Sequence, residues 1–177
     1  MLTKDIWEGH PCCAFACSQE FATENPNTYG ALLKAIVDAT AYSQKHENRA
    51  EISEAIAPKN YLNQPAPVIK QVLTGRYADG LGNVQNVPDR IDFDPFPWHS
   101  MGVWILTQMK RWGYIKGDVY YQKIAEQVYV AADTAKIMKE LGYEPPSKTY
   151  ENYTIMGKTF DYTKPDEYVK SFKIGRV

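Results

Sequence analysis

The sequence predicts an α/β chain that is rich in helix and holds few strands. Three observations carry this. Most of the stretch between 18 and 142 falls into segments with apolar residues at i, i+3, i+4 spacing, bounded by helix start and stop residues. One short run of small and apolar residues, "CCAFACS", reads as a strand. The hydrophobic fraction of 44% and the aromatic fraction of 13% give the chain enough apolar surface to fold, which excludes disorder. A complete α/β sheet needs several strands, so two architectures fit the pattern. The chain is either an all-α domain with one decorative strand or the second part of a larger α/β protein.

The elements follow in order. Residues 12–17 are expected as a buried strand, with Cys13, Phe15 and Cys17 on one face and Cys12, Ala14 and Ala16 on the other. Ser18 caps a short helix through Phe21. Asn25 as N-cap and Pro26 at the first helical position open a helix over 26–44. Tyr29, Leu32, Leu33, Ile36, Val37 and Thr40 form its apolar stripe. A shorter helix covers Asn48 to Ile56 and stops ahead of Pro58. The next, over 65–74, takes Asn63 or Gln64 as cap, Pro65 inside its start and Gly75 past its end. Residues 76–97, with Gly80, Gly82 and three prolines, read as an irregular loop. Helices are expected again over 98–112, 119–131 and 133–141, the last closed by Gly142. The final 35 residues, holding five of the thirteen tyrosines, read as a surface arm with a short helix after Pro165.

The helix over 98–112 concentrates three of the four tryptophans. At about 100° per residue, Trp98, Met101, Ile105, Met109 and Trp112 share one stripe, which reads as a core face. Ser100, Thr107 and Arg111 fall on the far side. Trp104 projects about 120° from Trp98, so it is expected to meet a second surface. Base stacking needs rings in a positively charged groove. The chain balances 20 basic against 21 acidic residues, and no basic stripe surrounds these rings. Nucleic acid and anionic membranes are therefore not expected as partners. No apolar run has transmembrane length, and no secretory h-region opens the chain.

Several motifs invite chemistry and fall short of it. His10, Cys12, Cys13 and Cys17 give H-x-C-C-x-x-x-C, the spacing that a small zinc-dependent hydrolase would use. Strand alternation splits those thiols between two faces, which favours buried cysteines. Asp89, Asp92 and Asp94 lack the glycine turn and distal glutamate of a calcium loop, and Arg90 can neutralise one of them. "DGLGN" at 79–83 has no preceding strand and no completed glycine-rich pattern, so turn chemistry accounts for it. His46 and His99 have no serine or cysteine at triad spacing, and no H-E-x-x-H or P-loop occurs. The remaining candidate is "DIWEGHP". Trp7, Glu8, Gly9, His10 and Pro11 make a polar turn beside an expected strand, where α/β folds place ligand contacts. A surface loop around a buried tryptophan is the plainer reading.

Taken together, "DIWEGHPCCAFA", "ENPNTYGALLKAIVDA", "FPWHSMGVWILTQMKRWGYI" and "DTAKIMKELGY" resemble the C-terminal part of the nitrate- and bicarbonate-binding proteins of ABC importers. That resemblance implies a two-lobed type II periplasmic-binding fold with an oxyanion held between the lobes. It implies that residues 1–17 end the second lobe and form a crossover strand, that 18–142 are helices packing on the first lobe, and that 143–177 are a C-terminal arm. The implied role is solute binding, not catalysis, with importer membrane subunits as partners. The missing lobe, or a second copy, would cover the exposed face. The implied ligand contacts are Trp7, Glu8 and His10. Nitrate binders of the family carry lysine after the tryptophan, whereas Glu8 resembles the glutamate with which bicarbonate binders act through calcium. A carboxylate disfavours a neighbouring anion unless a cation intervenes or it is protonated. A similar domain also occurs fused to the importer's cytoplasmic ATPase subunit as a regulatory sensor. The resemblance thus implies a periplasmic or membrane-associated location for the carrier and a cytoplasmic one for the sensor.

Overall fold

The computed structural model describes residues 2–172. The chain divides into two compact units, Met1–Leu33 with Phe96–Val177, and Lys34–Pro95. In chain order the helices are α1 (Gln19–Glu24), α2 (Pro26–Gln44), α3 (Arg49–Ile56), α4 (Ala66–Thr74), α5 (His99–Arg111), α6 (Tyr121–Val128), α7 (Ala131–Glu140) and α8 (Pro165–Lys170). The strands are β1 (Arg76–Ala78), β2 (Val84–Asn86), β3 (Tyr153–Ile155) and β4 (Lys158–Phe160). They form two antiparallel hairpins, β1 with β2 and β3 with β4. The helices stand close to the expected positions, although α4 takes Pro65 rather than Asn63 or Gln64 as its N-cap, with no side-chain cap bond. Ser18 Oγ accepts from Phe21 N at 3.1 Å at the start of α1. Gly75, at φ +69°, closes α4 in the left-handed conformation that only glycine takes without strain.

The unit spanning 34–95 is built on one buried cation. Arg49 opens α3 and is only 4% exposed. Its Nε donates to Ser43 O (3.1 Å) and its Nη2 to Gln44 O (3.2 Å), the last carbonyls of α2. Its Nη1 donates to Leu73 O (3.4 Å), near the end of α4, and to Pro88 O (3.1 Å). Two helix C-termini, each carrying partial negative charge, therefore converge on one guanidinium. Val37, Ala41, Ile69 and Leu73 supply the apolar burial around it. The stretch expected as an irregular loop instead contains the β1–β2 hairpin. Its turn is held by Asp79, whose carboxylate accepts from Leu81 N (2.7 Å), Asn83 N (3.1 Å), Asn83 Nδ2 (3.1 Å) and Gln85 Nε2 (3.0 Å). Turn chemistry does account for "DGLGN". Arg90 lies over the Tyr77 ring at 4.0 Å rather than in a cation-binding loop.

The other unit has an aromatic core of Trp7, Val103, Tyr121, Ala125, Tyr153, Phe160 and Tyr168. The stretch expected as a surface arm thus supplies Tyr153, Phe160 and Tyr168 to the core, and two further expectations are overturned here. The first is the stripe of α5. Its buried residues are Ser100, Gly102, Val103 and Thr107, while Met109 and Trp112 are exposed, Trp112 by 62%. The hydroxyls bury because each is satisfied. Ser100 Oγ shares a 2.6 Å hydrogen bond with Tyr153 OH and accepts from Glu151 N, and Thr107 Oγ1 donates to Trp104 O at 2.6 Å. Gly102 permits the close approach of α6: a Cβ there would lie 2.9 Å from Tyr129 and 3.0 Å from Ala125. The second concerns residues 12–17, which form no strand; Cys12, Cys13 and Cys17 are exposed, not buried. An extended segment becomes a strand only when a neighbour completes its hydrogen bonds. Among the described residues, none pairs with it. Trp104 does meet a second surface, packing edge-on against Trp7 at 4.8 Å.

Candidate functional site

The turn Trp7–Pro11 starts from a 3₁₀ turn over Thr3–Asp5. Ile6 N and Trp7 N both donate to Thr3 O at 3.0 Å, and Leu2 N donates to Asp5 Oδ2 at 2.7 Å. The chain then reverses at Gly9, φ +66°. The tip of the β3–β4 hairpin holds the turn from the side, with Met156 N donating to Ile6 O at 3.1 Å. Below, the Trp7 ring is 5% exposed between Trp104 and Tyr153, the latter at 4.9 Å. A rigid anchor thus sits under an exposed tip.

The three expected ligand residues fall at different depths. Glu8 is exposed at the tip. Trp7 is a core residue, and its Nε1 is buried without a hydrogen-bond partner. His10 is half-buried, and neither of its ring nitrogens has a partner. A turn of this kind offers donors from Trp7 and His10 and one carboxylate from Glu8. Calcium requires six to eight oxygens. Among the described residues, no group of three or more His, Cys, Asp or Glu side chains could hold a metal ion. The residues present therefore do not by themselves fit calcium at Glu8, nor zinc at His10 and the cysteines.

Two scaffold features escaped sequence reasoning. Lys110 on α5 and Tyr121 on α6 both bond Asp166 Oδ1 on α8 at 2.9 Å, and the Lys110 ammonium holds that carboxyl below the usual range. His99 Nε2 meets Tyr129 O at 2.9 Å, while His99 N donates to Thr149 O at 2.9 Å. These bonds fix α5, and with it Trp104, beneath the turn. The sequence separation of such partners, 56 residues for Lys110 and Asp166, leaves no local signal.

Known proteins resemble this chain throughout. Residues 1–57 match the NMT1-like family. The nitrate/nitrite binding protein NrtA of Nostoc sp. (strain PCC 7120) is 33% identical across 100% of this chain, which spans 42% of that protein. The bicarbonate transport ATP-binding protein CmpC of Synechocystis sp. (strain PCC 6803) is 29% identical across 97% of this chain and 26% of its own length. The crystal structure of the periplasmic nitrate-binding protein NrtA from Synechocystis PCC 6803 superposes with a TM-score of 0.84 at 25% identity, over 97% of this chain and 48% of that one. The chain spans less than half the length of these relatives.

Proposed function

We propose that the chain serves as part of a solute-binding component of an ABC importer for a small oxyanion, nitrate, nitrite or bicarbonate, a reading supported by its likeness along its length to nitrate/nitrite binding proteins. The observation that carries this reading is the match of fold and sequence over nearly the entire chain at a TM-score of 0.84. The role is binding, not catalysis. Glu8 and His10 contribute ligand contacts from the turn, and Trp7 anchors it. The partners are the importer's membrane subunits, and the setting is periplasmic. Likeness to an ATP-binding transport protein favours a second reading, a cytoplasmic sensor domain on the importer's ATPase subunit.

On this reading residues 1–17 are the end of the second lobe with its crossover segment and 18–142 pack on the first lobe, while β3, β4 and α8 join the aromatic core rather than form a surface arm. The exposed, unpaired segment over 12–17 supports this, as does the uncovered face of α5 and α6. There Ile105, Met109, Ile124 and Val128 surround a groove of about 230 Å³. A lobe of the relatives' kind, or a second copy, covers that face.

A two-lobed carrier divides its donors between lobes, so this chain supplies a half-site. An anion loses more hydration there than the turn's few donors replace. Titration calorimetry of the 177-residue chain with nitrate, nitrite or bicarbonate is expected to show no saturable heat. In a longer protein containing this sequence, Glu8→Lys is expected to favour nitrate, because it replaces a carboxylate that disfavours a neighbouring anion with an ammonium that attracts it. Tight nitrate binding that needs no metal and ignores the change at Glu8 would remove that residue from the site.

A further inference from the structure

Trp7, His10 and Pro11 of the turn, though not Glu8, help to line a cleft of about 440 Å³. That volume is within the range of small-molecule sites, roughly 300 to 1,000 Å³. Its walls are mainly apolar and aromatic, with Trp7, Trp104, Tyr168 and Phe172 prominent. Three basic side chains, His10, Arg111 and Lys158, also line it, and no aspartate or glutamate does.

The charges are arranged in an unusual way. Arg111 Cζ lies 3.8 Å from the centroid of the Phe172 ring, and Lys158 Nζ lies 4.0 Å from the same centroid. Two cations thus share one ring, and among the described residues neither is ion-paired. Aromatic faces attract each cation by about 0.5–2 kcal/mol, yet they do not cancel the repulsion between the two. Hydrogen bonding is also incomplete. Lys158 Nζ donates to Ser171 O at 3.0 Å and Arg111 Nη1 to Gln108 Oε1 at 3.2 Å, while Arg111 Nε, Trp7 Nε1 and both His10 nitrogens are buried without partners. Leaving a buried donor unpaired costs about 1–3 kcal/mol each. One group would relieve both problems, an anion seated between Arg111 and Lys158 with its apolar part against the rings.

We propose that this cleft, whose wall includes Trp7 and His10 of the same turn, also binds a small aromatic carboxylate through Arg111 and Lys158. The carboxylate meets the planar guanidinium in two-point fashion and the ammonium as a point charge. The ring stacks among Trp7, Trp104 and Phe172, displacing water from apolar walls. The site needs an anion with an apolar body. Nitrate and bicarbonate have none, which separates it from the oxyanion role.

The test is a titration of the 177-residue chain with benzoate, followed by tryptophan fluorescence. Trp7 and Trp104 line the cleft, so a saturable change is expected. Acetate is expected to bind at least tenfold more weakly than benzoate. Arg111→Gln should weaken benzoate at least tenfold and Lys158→Gln at least threefold, whereas Lys116→Gln, which removes an exposed cation elsewhere, should leave it unchanged. If Arg111→Gln perturbs folding by circular dichroism, Lys158→Gln decides, since its chain is only half-buried. The proposal is overturned by the absence of a saturable signal. It is also overturned if acetate matches benzoate, or if a folded Lys158→Gln chain binds like the wild type.

Discussion

Arg49 offers the most demanding test of how the 34–95 unit is held. The perturbation is Arg49→Met, which keeps length and apolar volume but removes all four hydrogen bonds to carbonyl groups. A hydrogen bond from a charged donor contributes about 1.5–3 kcal/mol. The distances here, 3.1 to 3.4 Å, argue for the lower figure. Four such bonds total about 6 kcal/mol at about 1.5 each. Against that, removing a guanidinium that is 4% exposed recovers its desolvation cost, several kcal/mol in practice and taken as about 3. The net loss is about 3 kcal/mol, or about a hundredfold in the local opening equilibrium. The assay is amide hydrogen exchange in α3 and α4 as a function of urea, which reads this unit directly. Arg49→Lys keeps the charge but cannot span acceptors on three segments, so it should lose about 1–2 kcal/mol. If both variants stay within about 0.5 kcal/mol of the wild type, the carbonyls are served equally well by water, and the guanidinium is not the organising element.

Further expectations concern turns and close contacts. Gly75→Ala places a Cβ against the Val87 carbonyl at φ +69°, so it should cost at least about 2 kcal/mol in urea denaturation; a neutral result would mean that the hairpin shifts freely. Gly102→Val should cost about 1–3 kcal/mol by forcing α6 and Tyr129 away, while Gly102→Ala comes nearer to neutral because helix propensity offsets the strain. Asp79 is held from its ordinary 3.8 down to about 2, first by the Leu81 amide and then by the Asn83 and Gln85 side chains. Its folded value is the lower one, so its contribution is fully present above 3.8 and is lost as pH falls through about 2. The Leu81 and Asn83 amide resonances should follow that titration; a midpoint near 4 would show that the turn does not hold the carboxylate.

Helices could be read because their signals are local. Pro26, Pro65 and Gly75 mark ends by backbone geometry alone, and the expected boundaries over 26–44 and 65–74 stand within a residue or so. Strands of three residues, as in β1 to β4, are too short to show alternation, so the hairpins stayed hidden in an expected loop and arm. The α5 stripe failed for a different reason. Hydropathy ranks Trp112 above Ser100, but partners fifty residues away satisfy the Ser100 hydroxyl, and burial follows satisfaction. At the candidate site, the Trp7–His10 turn was legible as a motif. The depth of each side chain was not, because Trp7 is placed by Trp104 and Tyr153, both remote in sequence.

The exposed thiols over 12–17 have a practical consequence. Cys12, Cys13 and Cys17 stand in the open, and the Cys12 and Cys13 sulfurs lie 3.7 Å apart. Hydrogen bonding and repulsion from its neighbour raise the Cys12 pKa, so less of it is thiolate at neutral pH and its attack on an alkylating reagent is slower. The segment is therefore a chemical footprint of its own surroundings. Where another polypeptide pairs with this backbone, modification at Cys13 and Cys17 is shielded on whichever face that chain covers. Where none does, all three react, with Cys12 trailing. A timed mass spectrum of the alkylated protein reads the presence of a neighbour without any label being introduced.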